Sequence, residues 1–347
     1  MKRLALVITI IFILALGLPG YLSAQMVSTE EELFARKPPA ASGSMLSVIG
    51  DYELGGESIT VLERNNALYL LYHKKYIPLR PMGAASWSLP QDNALGTWKL
   101  EFLSSKTGAV TVCKAGGRYF QRVPHTGRIN PSKPVKDLRE EALKAKPPAE
   151  EGQFLAPDLV EMITLDPSVQ LDIRYATANN FMGAPFYSCA KAYLQRPAAE
   201  ALARVSKKLK AHGLGLVIFD AYRPWYVTRM FWDGTPDSQK KFVADPKTGS
   251  VHNRGVAADV TLYDLKTGKA LDMGGFYDEF GERSSPGYQG GTSLSRWNRE
   301  VLRFLMGQEG FTVYPYEWWH FNYRDSDRYP IMNIPFEDLR AKKIPGN

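Results

Sequence analysis

Between about residues 44 and 125 apolar and polar positions alternate in short runs: Ile59-Thr60-Val61-Leu62, Ala67-Leu68-Tyr69-Leu70-Leu71-Tyr72, Trp98-Lys99-Leu100-Glu101-Phe102 and Val110-Thr111-Val112. Turn residues separate them at Gly55-Gly56, Asn65-Asn66, Lys106-Thr107-Gly108 and Gly116-Gly117. Short alternating runs at this spacing predict an antiparallel sheet curled into a small barrel or sandwich. From about 154 the pattern changes. Tyr193 to His212 carries apolar residues at 194, 198, 202, 205 and 209, a helical period that Gly213 stops. Val169–Tyr175, Leu214–Phe219 and Val256–Leu262 read as strands, Lys266-Thr267-Gly268-Lys269 as a hairpin turn, and Pro224–Trp232 as a helix. Ser293 is placed to cap a helix with Leu294, Trp297, Val301 and Leu305 on one stripe, closed by Gly310. Thr312–Tyr323 is aromatic and extended, and Pro315 disfavours a helix there. Helices and strands in this interrupted order predict an α+β domain behind a small all-β domain.

The ends and the junction have their own grammar. Lys2 and Arg3 precede an apolar run from Leu4 to Leu18, then Pro19-Gly20 and Ser23-Ala24, the layout of a secretory signal peptide over 1–24. The run is short for a membrane span, which needs about 20 apolar residues. The reading is an exported protein of the periplasm or cell envelope, with no membrane span in the mature chain. Residues 25–43 form a polar, Pro-containing leader, expected to be flexible. Residues 126–153 read as a Pro-rich linker around a charged stretch able to form two or three helical turns, with stiff ends that keep the domains apart.

Composition changes this picture little. The net charge of +7 includes Lys2 and Arg3, and the other basic residues are dispersed among acids, so a nucleic-acid patch is not expected. Cys113 and Cys189 could pair in an exported protein or stay as two buried thiols, and two cysteines cannot build a cysteine-based zinc site.

The chemistry concentrates in two segments. Only five histidines occur, and two stand near carboxylates: Ser250-Val251-His252 lies seven residues before Asp259, and Glu317-Trp318-Trp319-His320 follows downstream. A catalytic zinc takes three N or O ligands and leaves a fourth position open. His252, Asp259 and His320 supply such a set, with Glu317 as the base for water. Trp318, Trp319 and Phe321 would frame the site and lower its dielectric. Gly255 with Ala257-Ala258 allows a tight turn into a strand, on which the acid Asp259 would be costly unless paired or metal-bound.

The Ser-x-His-(x6)-Asp and Glu-x-x-His pair resembles the zinc D-Ala-D-Ala dipeptidases, within the wider family of D,D-carboxypeptidase-like zinc peptidases. Three further segments resemble that branch: Asp172-Ile173-Arg174-Tyr175-Ala176-Thr177 with Asn179-Asn180-Phe181-Met182-Gly183; Asp220-Ala221-Tyr222-Arg223-Pro224; and Met273-Gly274-Gly275-Phe276-Tyr277-Asp278 running into Gly281-Glu282-Arg283-Ser284. The similarity spans about 160 to 330, and implies a zinc dipeptidase domain over 154–347. It implies one Zn²⁺ held by His252, Asp259 and His320, with Glu317 passing a proton from water to the leaving amine. Arg223 would face the oxyanion, a contribution of roughly 3 kcal/mol. Asp278 would bind the substrate's free α-ammonium, with Ser250 and Tyr175 lining the same pocket. The resembled loop often has Phe where this chain has Tyr277.

These expectations amount to zinc-dependent hydrolysis of D-Ala-D-Ala, or a related D-amino-acid dipeptide, in peptidoglycan turnover. The alternatives are a D,D-carboxypeptidase or wall-peptide endopeptidase of the same superfamily, or a non-catalytic cell-wall binding protein. The β domain is open to a cell-wall contact.

Overall fold

The computed structural model describes residues 29–83, 85–90, 99–124 and 127–341. The signal-peptide reading over 1–24 lies outside the described residues. Among those residues no helix is long and apolar enough to cross a membrane.

After two short helices, α1 (Glu30–Ala35) and α2 (Gly43–Val48), nine strands follow. They are β1 (Gly50–Leu54), β2 (Glu57–Arg64), β3 (Ala67–Tyr72), β4 (Lys75–Pro78), β5 (Arg80–Gly83), β6 (Ser86–Ser88), β7 (Lys99–Ser104), β8 (Val110–Ala115) and β9 (Arg118–Arg122). They form one antiparallel sheet in the order β4-β3-β2-β1-β9-β8-β7-β6-β5. Its two edge strands are joined by the single residue Leu79, so the sheet curls until its edges meet. Tyr52, Val61, Leu70, Leu100, Cys113 and Phe120 fill the interior, each completely buried. Burial pushes the Cys113 thiol up to about 12. Cys189 packs against the other core, so the two cysteines serve different hydrophobic clusters.

The C-terminal part starts with α3 (Val135–Lys144), β10 (Leu159–Glu161), α4 (Met162–Leu165) and β11 (Gln170–Leu171). It continues through β12 (Tyr193–Gln195), α5 (Arg196–Ala211), β13 (Leu214–Asp220), α6 (Trp225–Gly234) and β14 (Ala257–Asp264). It ends with α7 (Ser293–Gln308), β15 (Phe311–Tyr314), β16 (Glu317–Tyr323) and α8 (Phe336–Ala341). A five-stranded sheet runs β11-β13-β14-β16-β15, with only β11 and β13 parallel. The periodic residues Ala198, Leu202, Val205 and Leu209 bury the inner face of α5 against β13. Gly213, at φ +73°, turns the chain from α5 into β13.

Several expectations change on contact with this structure. The strand expected over Val169–Tyr175 is only two residues long and gives way to a 3₁₀ turn at Arg174–Ala176. The cap of α7 is Thr292, whose hydroxyl accepts the Ser295 N–H in a reciprocal capping box, and Ser293 is already helical. The leader, expected to be flexible, holds α1 docked on α7: Leu33 is buried, the Trp297 indole donates to its carbonyl, and Phe34 stacks on His212. The linker, expected to space two separate bodies, buries Leu138 and Ala142 of α3 against α6. The sheet itself touches the C-terminal part, because Glu63 of β2 accepts from the Ser293 N–H at the start of α7. Buried apolar area on α1 and α3 outweighs the freedom that Pro-rich flanks suggest.

Candidate active site

Asp220 on β13, Asp259 on β14 and His320 on β16 stand in register, so one row of three neighbouring strands brings all three together. His252 arrives from outside the sheet, on a 3₁₀ turn at Val251–Arg254. The Ser250 hydroxyl accepts the His252 N–H, Asn253 Oδ1 accepts the Ser250 N–H, and Gly255 at φ +71° ends the turn and leads into β14. The expected tight turn is therefore built by this capping pair.

Nε2 of His252, Nδ1 of His320 and Oδ1 of Asp259 form a nearly equilateral triangle with sides of 3.1, 3.2 and 3.2 Å. Nδ1–H of His252 donates to the Ala221 carbonyl at 2.6 Å, which leaves Nε2 as a lone pair. Nε2–H of His320 donates to Oδ1 of Asn322 at 2.8 Å, which leaves Nδ1 as a lone pair. Oδ1 of Asp259 is fully buried and receives no hydrogen bond. Three electron-rich atoms thus converge with no proton between them, an arrangement that costs free energy unless a cation fills it. Zinc at about 2.0–2.1 Å from three tetrahedral ligands sets them about 3.3–3.4 Å apart. The donor set fits that ion.

The other carboxylate oxygen of Asp259 is held. The Tyr277 hydroxyl donates to Oδ2 at 2.9 Å, which turns Oδ1 toward the histidines. Burial opposes ionisation of Asp259, but where His252 and His320 carry protons in place of a cation, their charges outweigh it and hold the carboxyl well below its usual range. The Glu317 carboxylate stands beside this group, with Oε2 3.7 Å from His320 Nδ1. Its surroundings strip away water and push its carboxyl up to about 7; His320 and Arg223 pull it down while Asp259 raises it.

Arg223 is buried and donates to Oδ2 of Asp220 through Nε at 3.0 Å and Nη2 at 2.7 Å, leaving Nη1 unused by that pair. Its guanidinium lies 5.2 Å from the Tyr175 ring centre and 5.0 Å from that of Phe231. Asp220 also accepts from the Tyr187 hydroxyl at 2.7 Å. Tyr175, expected at a strand end, sits instead on the 3₁₀ turn, and its hydroxyl donates to both oxygens of Asp278 at 3.1 and 3.0 Å. Burial, and next the Asp259 charge, raise the Asp278 carboxyl far above its usual value.

One cavity of about 540 Å³ is lined by Tyr175, Arg223, Ser250, Asp278 and Glu317 together with the His252–Asp259–His320 group. Every site residue expected from the sequence therefore meets in one place. No residue of the nine-stranded sheet, α5 or α7 is among those lining it. Ser250 borders the cavity while its hydroxyl serves the turn. Of the three aromatic residues expected to frame the site, Trp319 lines the cavity, while Trp318 and Phe321 are buried but are not among its lining residues. Three supporting residues were missed: Asp220, Tyr277 and Asn322. The first two stand inside the motifs quoted above, but only the fold shows what they touch: Asp220 holds Arg223, and Tyr277 holds Asp259.

The D-Ala-D-Ala dipeptidase family pattern matches residues 156–339 and leaves the nine-stranded sheet outside. The chain is 37% identical over 179 residues to the D-alanyl-D-alanine dipeptidase of Escherichia coli, covering 52% of this chain and 91% of that one. It is 33% identical over 189 residues to the namesake enzyme of Enterococcus faecium, covering 48% and 92%. The Streptomyces coelicolor enzyme of that name is 31% identical over 175 residues, covering 45% and 87%. With its three inward-facing ligand atoms set on that matched stretch, this chain belongs to the D-Ala-D-Ala dipeptidase family.

Proposed function

We propose that this protein is a zinc metallopeptidase that hydrolyses D-Ala-D-Ala, or a closely related D-amino-acid dipeptide, in cell-wall peptide turnover. The observation that carries it is the convergence of His252 Nε2, His320 Nδ1 and the unpartnered Asp259 Oδ1 beside the Glu317 carboxylate. The family is zinc-dependent, and these three residues would hold the ion. Bound there, zinc supplies a Lewis acid and lowers the pKa of a coordinated water toward about 7.

The chain's own residues divide the remaining work. Glu317 takes a proton from the attacking water and returns it to the leaving amine nitrogen, which its raised carboxyl pKa suits. Arg223, locked by Asp220, offers Nη1 to the oxyanion that develops on the scissile carbonyl. Asp278 receives the substrate's free α-ammonium, and the Tyr175 hydroxyl fixes the orientation of its carboxylate. A buried carboxyl in that place rewards a free N-terminus, because the α-ammonium stabilises its ionised form and an N-acylated substrate brings no such charge. This favours a dipeptidase over a carboxypeptidase acting on longer wall peptides.

The setting we propose is the periplasm or cell envelope, on the strength of the basic, apolar and small-residue order of residues 1–24. The sheet is open to a contact with the wall. Metal analysis followed by D-alanine release from free and N-acetylated D-Ala-D-Ala tests the reading. One zinc per chain and turnover of the free dipeptide are expected; full activity after exhaustive chelation, or turnover of the acylated form alone, would reject it.

A further inference from the structure

Asp278 sits at φ +57°, a left-handed conformation uncommon for a non-glycine residue, and its surroundings hold it there. Part of that hold is local. Glu279, only 4% exposed, accepts from the Phe276 N–H at 3.1 Å and from Arg283 Nε at 2.7 Å. The rest comes from the other end of the chain. Arg283, 5% exposed, also pairs Nη2 with Glu279 Oε1 at 2.6 Å and reaches across to the nine-stranded sheet and its exit segment: Nη1 meets Oδ2 of Asp51 on β1 at 3.2 Å, and Nη2 the Pro124 carbonyl at 2.9 Å. Asp51 is itself held by the Thr60 hydroxyl at 2.7 Å and the Tyr288 hydroxyl at 2.9 Å. One buried guanidinium therefore ties a carboxylate of the sheet to a carboxylate of the loop.

The closest approach is at Gly127. A Cβ there would lie 2.3 Å from the carbonyl oxygen of Asp278 and 3.0 Å from its carbonyl carbon, so the backbone leaving the sheet rests directly on the backbone of Asp278. Gly127 is not left-handed, so contact and not conformation requires the glycine. A second seam keeps the sheet from swinging away: Glu63 Oε2 accepts from the Ser293 N–H at 2.7 Å, and Arg296 donates to the Glu63 carbonyl at 2.6 Å.

We infer that the nine-stranded sheet is a positioning element for substrate recognition: through Asp51, Arg283 and Gly127 it fixes the Asp278 loop and sets the preference for a free α-ammonium. This rests on the reading of Asp278 given above. Because no side chain of the sheet lines the cavity, the effect runs through the loop backbone and falls on binding before it falls on chemistry.

The test is steady-state kinetics of Gly127→Ala and Asp51→Asn on free and N-acetylated D-Ala-D-Ala, with zinc content and thermal unfolding measured on the same preparations. Both variants are expected to bind zinc as the parent does. Each should raise KM for the free dipeptide roughly tenfold, leave kcat nearly unchanged, and narrow the preference for the free over the acylated substrate by a similar factor. Folded, zinc-loaded variants with the parental KM and preference would overturn the inference. Asp278→Asn separates the two levels. If it changes neither KM nor preference, the ammonium reading falls; if it changes both while Gly127→Ala and Asp51→Asn change neither, only the role of the sheet falls. Should Gly127→Ala fail to fold, Asp51→Asn decides alone, since it keeps the size of the side chain and places no new atom against the loop backbone.

Discussion

In the nine-stranded sheet the interior is apolar, and Glu63 is the one buried charged or polar residue among its described positions. In the dipeptidase part Asp220, Arg223, His252 and Asp259 are all buried, and one oxygen of Asp259 has no hydrogen-bond partner. Burying polar groups costs stability unless each is paired, so a cluster left deliberately short of protons marks where a protein holds a cation and does chemistry. A dry core marks only folding. The single buried acid among the sheet's described positions faces the seam with the other part.

The largest effects are expected at the ligands. Asp259→Ala should abolish zinc binding and reduce dipeptide hydrolysis to background, read by metal analysis and D-alanine release. Glu317→Gln should keep the metal and lower kcat by roughly 10²–10⁴-fold, the usual share of a general base. Tyr277→Phe removes the hydroxyl that orients Asp259 and should weaken zinc affinity by roughly 10–100-fold in a chelator competition, while turnover at saturating zinc changes little. On the other side, Phe120→Ala, emptying the centre of the sheet, should cost about 3–5 kcal/mol in the unfolding of that region and leave zinc stoichiometry intact.

A smaller effect concerns pH. The Glu317 carboxyl moves from its usual 4.5 in the unfolded chain to about 7 in the metal-free fold. Between those values the folded chain holds the proton that the unfolded chain has lost, so the metal-free protein loses stability as pH rises through this window. Glu317→Gln should remove that slope, which thermal unfolding from pH 4.5 to 7 would measure. In the loaded enzyme a neighbouring divalent cation favours the ionised carboxylate, so the acid limb of kcat/KM should lie below 7.

Much of the site was readable because its chemistry is carried by rare residues at short spacings. His252 and Asp259 belong to one turn-and-strand segment, and Glu317 and His320 to one strand. Arg223 was legible as a site residue, but its pairing with Asp220 was not, since a carboxylate three residues away on a strand end gives no periodic signal. The hydroxyl that distinguishes Tyr277 from the phenylalanine of the resembled loop looked like a minor change of shape; only the fold sets it against Asp259. The seam between the two parts was invisible for the opposite reason. Asp51, Glu63 and Arg283 look like ordinary surface charges, and nothing along the chain shows that two distant surfaces bury them against each other. The leader was misjudged similarly, because one leucine and one phenylalanine among polar residues suffice to dock a six-residue helix.

The order of strands in the sheet carries a consequence for how the molecule is made. β1 hydrogen-bonds to β2 at once, but its other neighbour is β9, and Tyr52 must wait for Arg122 before that side is satisfied. Pairing over such a separation closes a longer loop than a hairpin does and meets a larger entropic cost. A chain emerging from its amino end therefore carries an incompletely paired ribbon until the ninth strand arrives, and Asp51 can meet Arg283 only after both parts have been made.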